Sequence, residues 1–280
     1  MNEREWGWRS RAGQRVFARE WTPGESAAVG AVVALVHGMG EHSGRYRHVA
    51  EALAEAGIAT LTFDQLGHGL TEGKRGHAGS YEELLEGIDR LLEEAAGRFP
   101  GVPVFLYGHS MGGNLTLNYL LRRKPHVTGA VVTSPWLKLA FEPKALQVVA
   151  ARLMERIYPK YANNHPLEPT HLTSDPLMLA QLREDRLRHG HITAKFFLEI
   201  HRAGKYALAH ADELQVPLLL MQGDEDKVTS IAASRQFAER AGKRCTFREW
   251  PGLQHELHNE RQRADVLATI RHWLRKEHGP

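Results

Sequence analysis

One stretch restricts the possible folds of this chain more than any other: Val104–Gly113, with the sequence VFLYGHSMGG. The β-branched and aromatic residues at its start predict a buried strand, and a helix is expected to follow. Ser110 lies between the two, flanked by Gly108 and Gly112 in a G-x-S-x-G pattern. In a tight strand-to-helix turn, side chains at the flanking positions would clash with the backbone, and glycine removes that clash. The pattern also occurs in ordinary loops, so the rest of the chain must decide between a loop and an exposed serine.

Strands and helices alternate along most of the chain. Uninterrupted apolar runs such as 31–36 and 58–63 predict strands buried on both faces, which is typical of a parallel sheet. Amphipathic helices follow them, and one is opened by a capping box, Ser80-Tyr-Glu-Glu83. We therefore expect an α/β protein with a mostly parallel sheet of eight strands and helices on both faces. The predicted strands are 6–9, 15–21, 31–36, 58–63, 104–107, 127–133, 216–221 and 245–250.

The alternation stops after Ser134-Pro135. No segment between 136 and 212 predicts a buried strand, but apolar residues recur at helical spacing in two places: Leu146, Val149, Ala150, Leu153 and Ile157, and then Phe196, Phe197 and Ile200. We expect a helical insertion after the sixth strand, residues 137–210, that forms a cap over the carboxyl edge of the sheet. The core then comprises residues 1–136 and 211–280. The alternative is a run of ordinary surface helices.

The composition is that of a soluble globular protein. Its 36 Lys and Arg residues nearly balance 33 Asp and Glu residues, and it has no long basic run, so a nucleic-acid partner is not expected. The single cysteine, Cys245, provides no disulfide framework and fits a reducing compartment. No signal peptide is apparent, and no apolar run approaches the ~18 residues of a membrane-spanning helix. These features predict a cytoplasmic protein.

Three residues that could together perform nucleophilic catalysis follow predicted strands. Ser110, Asp226 and His255 each come closely after a strand, and the carboxyl ends of parallel strands meet at one edge of a sheet. A serine hydroxyl is a weak nucleophile, so an imidazole must accept its proton and a carboxylate must orient the imidazole. The chain order Ser, Asp, His is that of α/β-hydrolases. Asp224 remains an alternative to Asp226 as the acid.

A tetrahedral intermediate also needs hydrogen-bond donors for its oxyanion. The backbone N–H of Met111 is expected to be one, because Met111 opens the helix after Ser110 and a helix N-terminus favours negative charge. The second is expected from the glycine-rich loop 37–44, HGMGEHSG, with the N–H of Met39 as the best candidate. The methionine side chains are incidental to this role.

Several motifs together resemble those of monoacylglycerol lipases and of the wider group of lysophospholipase-like α/β-hydrolases. They are HGMGEHSGRY at 37–46, FDQLGHG at 63–69, RGH at 75–77, GHSMGG at 108–113, GDED at 223–226 and HELH at 255–258. The likeness therefore extends over nearly the whole chain. It implies an α/β-hydrolase fold and hydrolysis of a single-chain lipid ester, above all a monoacylglycerol, by Ser110, Asp226 and His255 without a cofactor. A lysophospholipid or a general carboxylic ester is the alternative substrate.

The resemblance also implies where the substrate binds. Glu41, Arg45 and His258 match residues that line the glycerol end of the pocket in that family. Four apolar residues of the predicted cap are expected to line the acyl pocket, although they could equally form the core of the cap: Leu146, Val149, Phe196 and Phe197. An exposed apolar cap would also suit transient contact with a membrane surface or a homodimer. Gln65 and Thr71 depart from the family pattern, which often has a histidine or another residue at the first position and a serine at the second.

Three other interpretations explain less of the sequence. Gly38-x-Gly40 follows a strand as in a dinucleotide site, but the third glycine, Gly44, comes one position late. His255-Glu-Leu-His258 is one residue short of the H-E-x-x-H zinc motif and lies in a predicted loop, so no metal is expected. A non-catalytic α/β-hydrolase scaffold usually lacks one of the three catalytic residue types, whereas this chain has all three.

Overall fold

The computed structural model describes residues 1–24, 28–141, 153–164 and 166–278. Its main sheet consists of β1 (Asn2–Arg9), β2 (Arg15–Thr22), β3 (Ala31–Val36), β4 (Ile58–Phe63), β5 (Val104–His109), β6 (Gly129–Thr133), β9 (Leu218–Gly223) and β10 (Cys245–Trp250). Their spatial order is β1-β2-β4-β3-β5-β6-β9-β10. The pairs β1–β2 and β2–β4 are antiparallel and the other neighbours are parallel. The predicted sheet is confirmed, although β1 begins at Asn2 rather than Trp6.

Helices cover both faces of the sheet, as predicted. They are α1 (Arg47–Ala54), α2 (Tyr81–Arg98), α3 (Met111–Arg123), α4 (Pro176–Glu184), α5 (Ala194–Ala209), α6 (Ile231–Ala241) and α7 (Arg263–His278). Along β3, residues 32, 34 and 36 pack with α2, α3, α5 and α6, whereas residues 31, 33 and 35 pack with α1 and α7. This alternation follows from the two-residue period of a strand. No helix within the described ranges is long and apolar enough to cross a membrane.

Polar side chains fix where three of these helices begin. The Oγ of Ser80 accepts a hydrogen bond from the N–H of Glu83 at the start of α2, as the capping box predicts. Asp175 caps α4 and Thr193 caps α5 in the same way, each accepting from a backbone N–H of the first turn. Each cap contributes about 1 kcal/mol by satisfying a donor that has no partner within its helix.

The segment between β6 and β9 contains short elements in place of the regular alternation. Two three-residue strands, β7 (Ala162–Asn164) and β8 (His191–Thr193), form a separate small sheet. They were not predicted, because three residues are too few to show a period. Residues 153–157 are helical. Leu146 and Val149, which are predicted to line the acyl pocket, lie outside the described residues.

Helix α5 fastens the end of this segment to the core of the protein. The Nδ2 of Asn114 in α3 donates to the backbone oxygen of Ile200 at 3.1 Å, and the Nδ2 of Asn118 donates to that of Ala203 at 3.0 Å. Both asparagines are fully buried. Because a buried amide without a partner is costly, these two bonds specify how α5 lies on α3.

We predict that Gly204→Ala in α5 destabilises the protein. A Cβ at this position would lie 2.2 Å from the backbone oxygen of Leu137, and only a shift of α5 can relieve that collision. We expect the free energy of unfolding to fall by about 1–3 kcal/mol.

Gly97→Ala in α2 is the matched control, because no described atom outside its own stretch of helix lies within 4 Å of its added Cβ. This change should stabilise the protein by about 0.5–1 kcal/mol, since alanine is the better helix former. Denaturant unfolding of both variants measures the difference. A stabilising effect of Gly204→Ala would contradict the close packing of α5.

Candidate active site

Ser110 lies at the sharp turn that joins β5 to α3. Its φ of 53° and ψ of −114° fall where residues other than glycine are rarely found. The turn brings the start of α3 against the end of β3, so that an added Cβ on Gly112 would lie 2.0 Å from the backbone oxygen of Val36. An added Cβ on Gly108 would lie 2.3 Å from Oγ1 of Thr116. Glycine at both positions therefore permits the turn that presents Ser110 at the edge of the sheet.

The structure brings Ser110, His255 and Asp226 together. The Oγ of Ser110 lies 2.9 Å from Nε2 of His255, and Nδ1 of His255 lies 2.9 Å from Oδ2 of Asp226. The three residues follow the carboxyl ends of β5, β10 and β9 respectively. Asp224, the alternative acid, is exposed, and its Oδ1 accepts a hydrogen bond from the N–H of Gly252 at 2.7 Å. Of the two carboxylates, Asp226 has the geometry that can orient the imidazole.

Hydrogen bonds hold the carboxylate of Asp226 in its ionised form. Its Oδ1 accepts from the N–H groups of Val228 and Thr229, at 2.8 and 3.0 Å. Its Oδ2 accepts from Nε2 of Gln222 at 2.9 Å and from Oγ1 of Thr229 at 2.7 Å. Although burial opposes the charge, attraction to His255 and these hydrogen bonds lower the pKa of Asp226 below its ordinary value.

The imidazole of His255 is suited to take and return a proton near neutral pH. Burial opposes its charged form, but attraction to Asp226 and the hydrogen bond between them raise the pKa of His255 above its ordinary value. His109 packs beside it, with ring centroids 4.9 Å apart. Burial and repulsion from His255 lower the pKa of His109 to about 4. The neighbouring ring therefore stays neutral while His255 can become charged.

The loop 37–44 passes close to Ser110. An added Cβ on Gly38 would lie 3.2 Å from Cβ of Ser110, and Met39 lines the cavity above the serine. Across the turn, Met111 opens α3, where the first N–H groups have no acceptor within the helix. The segment between β6 and β9 also holds this loop in place, because the N–H of His189 donates to the backbone oxygen of Gly40 at 2.9 Å. Met39 and Met111, whose N–H groups are expected to bind an oxyanion, thus belong to two segments that adjoin Ser110.

A buried cluster of charges forms part of the cavity wall. Arg45 donates from Nη1 to Glu41 at 2.8 Å and from Nη1 and Nη2 to the two oxygens of Glu256, at 2.9 and 2.7 Å. The Oε1 of Glu41 also accepts from the hydroxyl of Tyr46 at 2.8 Å. The side chains of Glu41 and Glu256 are each 4% exposed and that of Arg45 is 10% exposed. Sequence reasoning singled out Glu41 and Arg45 but missed Glu256, whose position directly after His255 was the available signal.

Two residues predicted to bind substrate lie in the interior rather than on the cavity wall. His258 is fully buried and stacks on Tyr46, with ring centroids 4.8 Å apart. Phe196 is also fully buried and belongs to the apolar cluster of the core, whereas Phe197 lines the cavity. Consecutive helical residues project about 100° apart, so the two phenylalanines face different surroundings.

The cavity that contains Ser110 has a volume of about 580 Å³. Glu41, Arg45, Glu256 and Arg188 form its charged lining. Its lining also includes large apolar side chains, among them Trp136, Leu139, Phe141, Met154, Leu167 and Phe197. Sequence reasoning missed Trp136, Leu139, Phe141 and Leu167, because they lie in irregular segments that show no periodic pattern. It also missed Met154, which lies in the helix at 153–157 but outside the predicted apolar positions.

The predicted apolar face of the helix at 153–157 is turned outward. Leu153 is 58% exposed and Ile157 is 69% exposed, whereas the intervening Met154 lines the cavity. Of the apolar face predicted from spacing, the two described large residues, Leu153 and Ile157, are therefore exposed. The helix covers the cavity with one side and presents leucine and isoleucine to solvent with the other.

Histidines beside the loop 37–44 bond to the protein backbone. The ring of His68 lies 5.4 Å from that of His37 and 5.0 Å from that of His189, measured between centroids. The N–H of Gln65 donates to Nε2 of His37 at 3.0 Å, and Nε2 of His189 lies 3.0 Å from the oxygen of Gly67. Within the described ranges, no group of three or more His, Cys, Asp or Glu could hold a metal ion.

Known proteins resemble this chain over almost its full length. The model of the Hydrolase_4 family, described as serine aminopeptidase S33, matches residues 27–262. A monoacylglycerol lipase of Mycolicibacterium smegmatis is 30% identical over 264 residues, covering 94% of this chain and 93% of that protein. The crystal structure of the Paleococcus ferrophilus monoacylglycerol lipase matches with a TM-score of 0.85 and 31% identity, covering 94% of this chain and 99% of that one.

A longer relative shares the same unit. An uncharacterized abhydrolase domain-containing protein of Dictyostelium discoideum is 34% identical over 261 residues, which is 92% of this chain. The chain spans only 27% of the length of that protein.

The family match covers most of the chain, and it includes both Ser110 and His255. The sheet order and the strained serine after β5 agree with it. This chain therefore belongs to the Hydrolase_4 family, described as serine aminopeptidase S33, and is a serine hydrolase with the α/β-hydrolase fold that resembles monoacylglycerol lipases.

Proposed function

We propose that this chain hydrolyses carboxylic esters of single-chain lipids, above all monoacylglycerols, through an acyl-enzyme on Ser110. The observation that carries the proposal is the hydrogen-bonded series Ser110, His255 and Asp226 beside a largely apolar cavity of about 580 Å³. A cavity of this size and lining suits one acyl chain. The names of the similar proteins from Mycolicibacterium smegmatis and Paleococcus ferrophilus, both monoacylglycerol lipases, support this substrate class.

In the first half-reaction, Oγ of Ser110 attacks the ester carbonyl while Nε2 of His255 takes the hydroxyl proton. The backbone N–H groups of Met39 and Met111 stabilise the negative charge on the carbonyl oxygen. His255 then gives the proton to the oxygen of the leaving alcohol as the C–O bond breaks. Asp226 stabilises the imidazolium that exists between the two proton transfers.

In the second half-reaction, water replaces the alcohol. Nε2 of His255 takes a proton from the water as its oxygen attacks the acyl carbon, and the same two N–H groups stabilise the second tetrahedral intermediate. Collapse of that intermediate breaks the bond to Ser110, and His255 returns the proton to Oγ. The products are a fatty acid and an unchanged serine, and no cofactor is required.

We infer that residues 137–210 form a cap that controls access to this cavity. Met154, Leu167 and Phe197 from this segment line the cavity. Leu153, Ile157 and Tyr158 expose 58%, 69% and 57% of their surface close by. Exposed apolar side chains beside an opening favour transient contact with a lipid surface, from which a single-chain ester can enter.

We predict that Asp226→Asn lowers kcat by about 10³- to 10⁴-fold, because the amide cannot stabilise the imidazolium. The matched control is Asp224→Asn. It removes another carboxylate of the same loop, but this carboxylate bonds to the N–H of Gly252 and not to His255. Its kcat should stay within about threefold of the wild-type value. Steady-state kinetics with 1-oleoylglycerol measure both changes, and a larger loss for Asp224→Asn would transfer the acid role to that residue.

We predict that Ser110→Ala abolishes hydrolysis of 1-oleoylglycerol while the protein stays folded, because the nucleophile is removed and the alanine methyl group fits the same space. A fluorophosphonate probe should label the wild-type serine and leave the variant unlabelled. Thermal unfolding provides the control for folding. A folded wild-type protein that neither reacts with the probe nor hydrolyses any ester would identify a non-catalytic scaffold.

We predict that kcat/KM rises with acyl chain length along a series of glycerol monoesters from acetyl to oleoyl. Each buried methylene contributes about 0.8 kcal/mol, which is about fourfold in kcat/KM until the cavity is filled. Oleoyl lysophosphatidylcholine and p-nitrophenyl oleate carry the same chain and test the head group, and the glyceride should be hydrolysed best. Equal rates from acetyl to oleoyl would refute an acyl pocket, and a preference for the phospholipid would change the substrate class.

A further inference from the structure

The cluster Glu41, Arg45 and Glu256 joins two separate loops of the proposed catalytic site. Glu41 belongs to the loop 37–44, and its Oε1 accepts a hydrogen bond from the N–H of Gly38 at 2.5 Å. Glu256 directly follows His255, and both of its oxygens accept from the guanidinium of Arg45. Arg45 lies between the two carboxylates and bonds to both.

Both carboxylates of this cluster accept hydrogen bonds from protein groups on each of their oxygens. Both oxygens of Glu41 accept, one from Gly38 and Tyr46 and the other from Arg45. Glu256 accepts from Arg45 on both oxygens and also from Nδ2 of Asn259 at 2.7 Å. The cluster therefore holds protein segments together, whether or not it also contacts a substrate.

Stability alone does not account for such a cluster. Removing charges from water is costly, and well-packed uncharged residues often replace a buried ion cluster with no loss of stability. A fixed geometry has chemical value at this place. One of the carboxylates, Glu41, bonds to Gly38, directly before the proposed oxyanion donor Met39, and the other, Glu256, directly follows the proposed base His255.

We propose that Glu41, Arg45 and Glu256 form a clamp that fixes the loop 37–44 relative to the loop carrying His255, and that Glu256 is a positioning residue for catalysis. The inference rests on the proposed ester hydrolysis by Ser110. The oxyanion donor and the base must serve the same tetrahedral carbon, so an error in their separation slows the reaction even when each loop is intact. A displacement of about 1 Å can cost on the order of 100-fold in rate.

The clamp also places negative charge near the imidazole of His255. The titratable groups that face His255 are Asp226, His109, Glu256 and Glu41. After burial and Asp226, the charges of Glu256 and Glu41 act to raise the pKa of His255. Removing the charge of Glu256 should therefore lower that pKa and move the acid limb of the kcat/KM profile to lower pH.

The experiment compares Glu256→Gln with Glu260→Gln. Glu260 is a fully buried carboxylate of the same loop, but it accepts from Ser174 and from the N–H of Gln254 and does not bond to Arg45. Glu256→Gln should lower kcat about 10- to 100-fold with KM changed less than about threefold, and it should shift the acid limb downward. Glu260→Gln removes a carboxylate of the same loop without breaking a bond to Arg45, so its loss of kcat should be smaller than that of Glu256→Gln and the acid limb should stay in place.

A triple variant, Glu41→Gln with Arg45→Met and Glu256→Gln, tests whether kcat falls because the loops lose their relative position or because the protein loses stability. It removes the three charges together and leaves no unpaired buried charge, so its midpoint of thermal unfolding should stay near that of the wild type. Its kcat should still fall by about 10-fold or more, because nothing then couples the two loops. This variant keeps the proposal testable if Glu256→Gln alone fails to fold.

Three results would overturn the clamp: a Glu256→Gln variant with wild-type kcat, equal losses of kcat in Glu256→Gln and Glu260→Gln without a shift of the acid limb, or a folded triple variant with wild-type kcat.

The rate at which a fluorophosphonate labels Ser110 is measured in every variant. This rate depends on the base and the oxyanion donors but not on the natural substrate. Labelling of the wild type without hydrolysis of any lipid ester would reject the proposed substrate and leave the test of the clamp intact.

Discussion

The close contact between the start of α3 and the end of β3 is the constraint on which the rest of the site depends. At Gly112 a Cβ would lie 2.0 Å from the oxygen of Val36, and the backbone of Ser110 takes a positive φ to make that approach. Strain of this kind costs about 1–3 kcal/mol and persists only where the surroundings impose it. Here they do, because β5 lies between β3 and β6 in the sheet and the first eleven residues of α3 are all buried. One rigid turn thereby positions both the proposed nucleophile and the first N–H of a helix.

Sheet order brings the other catalytic candidates to that turn. His255 lies 145 residues after Ser110, yet β5, β6, β9 and β10 are consecutive neighbours, so their carboxyl ends meet at one edge. The long segment that connects β6 to β9 leaves the sheet at this edge, and it returns through α5 to the opposite edge, where the parallel strand β9 begins. It therefore lies over the cavity, and α5 holds its end through hydrogen bonds from α3. The same topology explains why residues of the insertion line the cavity that contains Ser110.

Local patterns predicted the features that depend on local causes, and failed where long-range packing decides. Apolar runs, glycine spacing and a capping box located the strands, the turn at Ser110 and the start of α2, since each reflects nearby atoms. The inward turn of Phe196, the burial of His258 and the ion pair between Arg45 and Glu256 depend on segments far apart in sequence. The same holds for the exposure of Leu153 and Ile157, because spacing shows that a helix has an apolar face but not what that face meets.

Charge around His255 favours the transition state of the proposed reaction over the resting state. Asp226 contacts Nδ1 directly, and Glu41 and Glu256 together outweigh the one positive charge of Arg45. The imidazole becomes cationic only when Ser110 gives up its proton, so this negative field acts most strongly at that moment. His109 does not oppose it, because burial and His255 lower its pKa to about 4 and keep it neutral. A buried clamp that fixes loop positions can thus also stabilise charge, since its carboxylates are held in place before the proton moves.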